Sequence, residues 1–143
     1  MKLREDNRVN ETIWAETSAG GLLKQLFGCY PTVFEAKVLS IEIHRPSEMV
    51  LMELEYRETT EMEEGQKLTA RIRFEWSNVH QLDLPMDFDE VMNVEFRKGN
   101  DHLVTLLEVG PGVFGQVVSE GFEAVLVKLD PGPRDETAWI RLR

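Results

Sequence analysis

Leu68, Ala70, Ile72, Phe74 and Trp76 alternate without interruption with Thr69, Arg71, Arg73 and Glu75. A two-residue period sends successive side chains to opposite faces of a strand, so this one has an apolar face and a charged face. An antiparallel sheet with one buried and one wet side is the arrangement that uses such a strand. The period recurs upstream, where Val50, Met52, Leu54 and Tyr56 alternate with Leu51, Glu53, Glu55 and Arg57. Before that, Leu39, Ile41 and Ile43 alternate with Ser40, Glu42 and His44, and Arg45, Pro46 and Ser47 read as the turn between the two runs.

Further strands follow. Val79 to Leu84 reads as a short one stopped at Pro85, and Val91 to Phe96 as another, closed by the turn-forming Lys98, Gly99, Asn100 and Asp101. Leu103 to Glu108 is a buried strand broken by Gly110, Pro111 and Gly112. Phe122, Ala124, Leu126 and Lys128 belong to a last long strand, stopped by Asp130, Pro131, Gly132 and Pro133, with Trp139 to Arg143 as a short edge strand. Residues 58–66, ETTEMEEGQ, form an acidic hairpin loop. Roughly six or seven strands with turn signals every 8 to 14 residues or so favour an antiparallel meander or sandwich over alternating βαβ units.

One segment is helical instead. Leu22, Leu23, Leu26 and Phe27 share a face at helical spacing, after Thr17 and Ser18 as N-cap candidates. Gly28 stands where a left-handed C-cap belongs, and Pro31 blocks continuation. The expectation is therefore α+β, mainly β: one N-terminal helix packed on the antiparallel sheet. A single domain spans 1–143, with a polar segment over 1–18 in which Ile13 and Trp14 dock on the body, a helix over 19–28 and a β-rich body over 34–143.

Composition narrows the function. Lys and Arg number 16 against 26 Asp and Glu, a formal net charge of −10. Such a surface repels nucleic acid and anionic lipid, and draws in a basic protein. The opening MKLREDNRVNET is polar and precedes no apolar core, which is not the pattern of a secretory signal. No apolar run is long enough for a membrane helix. With Cys29 as the sole cysteine, the expectation is a soluble cytoplasmic chain without an internal disulfide.

Reactive chemistry is sparse. His44, His80 and His102 form neither H-E-x-x-H nor a close pair, so no metal site is expected. Cys29 has no neighbouring base and sits at a helix C-terminus, which does not activate a thiol. The glycines of 110–115 lack the Lys-Ser/Thr of a phosphate-cradling loop, and Pro111 removes a donor. Asp87 and Asp89 lack the further ligands of a calcium loop. Catalytic residues, metal and cofactor are all read as none.

The junction LFGCYPTVFEAKV supplies the sharpest clue. With an early Trp14, then Phe27-Gly28, Pro31, Ala36 and Val38, it resembles the immunity protein 50 family of bacterial polymorphic toxin systems. The family pattern is close to FG-x-x-P-x-F-H-D-A-x-V; here Val33, Phe34 and Glu35 stand for its Phe-His-Asp. The acidic position is kept in kind and the histidine is not, which leaves any role of that histidine without a counterpart. The resemblance implies a non-enzymatic protein that binds and neutralises a cognate toxin.

On that reading, partner-binding candidates are Glu35, the acids Asp83, Asp87, Asp89 and Glu90 with Phe88 between them, and Glu61, Glu63 and Glu64 of the acidic loop. Trp76, Trp139 and Phe88 are the aromatic anchors to weigh against core packing, Phe88 being the best exposed by sequence. Two readings from other classes stand beside it. One is a structural or homodimerising β module using a sheet edge. The other is a small-molecule-binding domain with a cavity between sheet and helix.

Overall fold

A computed structural model describes residues 7–31, 33–57, 69–85 and 87–130. Two helices, α1 (Asn7–Glu16) and α2 (Ser18–Phe27), precede seven strands: β1 (Ala36–His44), β2 (Met49–Arg57), β3 (Thr69–Asp83), β4 (Glu90–Val91), β5 (Asn93–Lys98), β6 (Leu103–Gly110) and β7 (Val113–Asp130). They form one antiparallel sheet in the order β4-β1-β2-β3-β7-β6-β5. The outermost members of that order adjoin in sequence. Residues 90 and 91 pair with β1 and residues 93 to 98 with β6, while the Met92 amide donates to the Glu108 carbonyl at 2.6 Å. One run of chain thus joins both ends of the order, and the sheet curls into a nearly closed barrel rather than a sandwich.

The alternation that defines β3 sets the inside of this barrel. Ala70, Ile72, Phe74 and Trp76 are buried and lie opposite Tyr56, Leu54, Met52 and Val50 of β2, all buried. Phe74 meets Trp76 and Phe122 at ring-centroid distances of 5.6 and 5.3 Å in edge-on geometry. The Trp76 indole N–H donates to the buried Thr105 hydroxyl at 2.9 Å, so the largest core side chain leaves no polar atom orphaned. The outer face carries charge: Arg71 lies 3.9 Å from Glu53 and 4.0 Å from Glu55, and Arg73 donates to Glu75 at 2.7 Å.

The expected break between a strand ending at Trp76 and another starting at Val79 does not occur. β3 runs on to Asp83, bent at Asn78, which takes φ +48°, and its register with β7 shifts between Val79 and Gln81. Asparagine tolerates the left-handed region, so the bend needs no glycine on β3. On β7, Gly121 lies opposite the neighbouring Ser77, whose hydroxyl occupies the space a side chain there would take. Beyond the bend β3 leaves β2 behind and continues with β7 alone.

There are two helices where one was expected. α1 buries Ile13 and Trp14, the docking pair anticipated within the polar segment. Trp14 enters the barrel interior, 5.8 Å from Phe74 and 6.2 Å from Phe96. Asn10 acts as a substitute strand residue at the edge of β5: its amide donates to the Val94 carbonyl at 3.2 Å and its carbonyl accepts from the Phe96 N–H at 2.8 Å. α2 covers β7 beyond the reach of β6, where the Ser18 N–H donates to Glu123 at 2.8 Å and its hydroxyl to the Ala124 carbonyl at 3.1 Å.

The corner between the helices is tight. The Thr17 hydroxyl donates to the Trp14 carbonyl at 2.7 Å and accepts from the Gly20 N–H at 3.0 Å, which is the N-cap read from sequence. Gly20 is needed there because a Cβ would overlap the Trp14 carbonyl. Gly28 closes α2 at φ +85°, its N–H bonding the Lys24 carbonyl. Ala19 and Leu23 are the buried apolar side chains of α2 among the described residues, whereas Leu26, expected on the same face, is exposed.

Candidate functional site

The described candidate residues lie along one seam. Ala36 and Lys37 of β1 pair with Val91 and Glu90, and the Val38 N–H donates to the Asp89 carbonyl at 2.8 Å. Residues 87–89 therefore lead onto the start of β1. Glu90 and Asp89 sit at the β1 contact, Asp87 lies earlier in that segment, and Asp83 ends β3 opposite Gln116. All four acids are exposed, as is Glu35, the residue before β1. Glu35 is not held by Arg71 or Arg73, whose ion pairs go to Glu53, Glu55 and Glu75. With Lys37, the segment holds Glu35, Asp83, Asp87, Asp89 and Glu90, a local charge of 1 − 5 = −4.

One aromatic expectation changes and one holds. Phe88 is half-buried against the core, because the docking of residues 89–91 on β1 holds it against the sheet; it is not the exposed residue the flanking aspartates suggested. Trp76 is wholly buried and belongs to the core. The exposed aromatic of the seam is Phe34, 54 % accessible. It sits between Val33 at φ +56° and Glu35 at φ +59°. Left-handed backbone is costly for a β-branched residue such as Val33, on the order of 1–3 kcal/mol. Val33 is itself fully buried, so the core holds the turn in this shape and Phe34 outward. The sequence signal was present in Val33-Phe34-Glu35, but alternation read it as the opening of a strand. Glu61, Glu63, Glu64 and Trp139 lie outside the described residues.

At the far end of β1 the barrel has a mouth. A cleft of about 390 Å³ opens there, floored by Ile43, Val50, Val79 and Leu82 and edged by His44, Arg45, Glu48 and His80. The Val79 N–H donates to the Glu48 carbonyl at 2.9 Å, tying the β1–β2 turn to the bent part of β3. His44 lies 3.2 Å from Glu42 and His80 2.8 Å from Glu120. His80 thus faces Glu120 of β7. Among the described residues no group of three His, Cys, Asp or Glu side chains is placed to hold a metal ion, and no helix is long and apolar enough to cross a membrane. Cys29 is half-buried beside Tyr30 and Pro31, next to a 260 Å³ hollow that Trp14 and Asn93 also line.

No family model, curated protein or solved structure is significantly similar to this chain.

Proposed function

We propose that this chain is a non-catalytic, immunity-type protein that binds and neutralises a cognate basic toxin through its acidic seam. The observation that carries the reading is Phe34: an aromatic residue 54 % accessible, presented by a strained turn and followed by Glu35, just before the strand whose Lys37 pairs with Glu90. Binding energy concentrates in a few aromatic anchors ringed by polar groups, and this arrangement supplies one. Phe34 also stands at the histidine position of the family pattern, beside the retained acid. Carboxylates steer a basic partner toward such a surface and oppose contact with nucleic acid or anionic lipid. The proposed setting is the bacterial cytoplasm, where an intact toxin would have to be intercepted.

The test is co-expression with the product of the adjacent reading frame. Cells that stop growing when that product is made alone should recover when this chain is made with it, and Phe34→Ala should lose the recovery. Growth arrest unaffected by the wild-type chain would sink the proposal.

A further inference from the structure

We propose that the barrel mouth is a receptor for one apolar side chain of a basic partner, with lysine or arginine residues beside that side chain paired to carboxylates on the rim. The inference deepens the docking function proposed above and rests on it for the identity of the partner. Its own support is separate.

Ile43 faces Val50 across the β1–β2 pair, on the inner side of the sheet, yet it is 54 % accessible. The bend at Asn78 carries β3 away from β2, and Ile43 is left exposed at the mouth beside half-buried Val79 and Leu82 and above buried Val50. The cleft is large enough for one bulky side chain, at the small end of ligand sites. Its walls are fixed, since the Glu48–Val79 backbone bond holds the turn against β3. A preformed apolar hollow costs less to fill than one that must open on binding.

Charge selects the occupant. Glu48 lines the cleft, and Glu42 and Glu120 sit against its histidines, with Arg45 as the permanent cation; with the histidines neutral the balance is 1 − 3 = −2. An apolar group flanked by acids would be repelled, and one flanked by lysines attracted. The rim of carboxylates around an apolar floor is therefore complementary to a basic protein segment with a single bulky apolar residue.

Two capped pentapeptides test this, each with a central tryptophan, one flanked by lysines and the other by glutamates. Methyl NMR spectra of the full chain should show saturable shifts at Ile43, Val79 and Leu82 with the lysine peptide, weakening at high salt. The glutamate peptide should bind at least about tenfold more weakly. Ile43→Asp, at an accessible position, should weaken the lysine peptide by about tenfold while its melting temperature shows that it is folded. No shift at the mouth, equal shifts from both peptides, or unchanged affinity of Ile43→Asp would each overturn the inference. A toxin blocked equally well by wild type and Ile43→Asp refutes the mouth alone. A mouth that takes the lysine peptide in a chain that protects against no toxin refutes the immunity function alone.

Discussion

Replacing Asn10 with alanine should destabilise the fold by about 2 kcal/mol, because the substitution orphans two backbone groups at once. The Asn10 side chain pairs with the outward edge of β5, giving 3.2 Å and 2.8 Å bonds to Val94 and Phe96. A typical hydrogen bond nets about 1 kcal/mol, and the loss grows to about 4 kcal/mol for the pair if water cannot reach the orphaned groups. Both bonds are part-buried, which places the expectation near the lower figure. In urea, with a slope of about 2 kcal/mol per M, the midpoint should fall by about 1 M at unchanged slope. Hydrogen exchange adds a local signature: the Phe96 amide should lose protection while Phe74, in the middle of the sheet, follows only the global change. Asn10→Asp should fare no better, since its second oxygen would oppose the Val94 carbonyl. A midpoint within about 0.2 M of wild type would refute the idea that α1 serves as an edge cover.

Neighbouring glycines should respond with opposite signs. Gly20→Ala forces a Cβ into the Trp14 carbonyl and should lower Tm by roughly 5 °C, whereas Gly21→Ala meets open space and should raise it by about 2 °C. Trp76→Phe removes the donor to the buried Thr105 and should cost about 2–3 kcal/mol in urea unfolding. The double variant with Thr105→Val should cost less than the sum of the single changes by about 1 kcal/mol, because no orphaned partner remains.

The sheet was readable where burial is one-sided. Residues 50–57 and 69–76 alternate because each strand has one face in the barrel and one in water, and their burial follows that pattern. The α2 boundaries were readable because Thr17 and Gly28 act locally. β1 misled: the register shifts between Val38 and Ser40, so Leu39 drops out of the series with Ile41 and Ile43 and lies exposed. α1 escaped notice because its docking residues, Ile13 and Trp14, sit in a polar stretch, and much of its anchoring comes from Asn10, which no hydrophobic pattern reveals. Closure of the sheet depends on residues 90–98 serving two neighbours, and alternation sets faces rather than partners. Of the site, the acids were legible as charge, but Phe34 became visible only when the strained turn showed which way its ring points.

The dissociation constant for the product of the adjacent reading frame, measured by calorimetry at low and high salt, tests the docking claim most directly. The account predicts a stoichiometric complex that weakens with salt, with Phe34→Ala costing about 2 kcal/mol, or roughly thirtyfold, and Asp89→Asn with Glu90→Gln flattening the salt dependence. An affinity indifferent to salt and to Phe34 would contradict it.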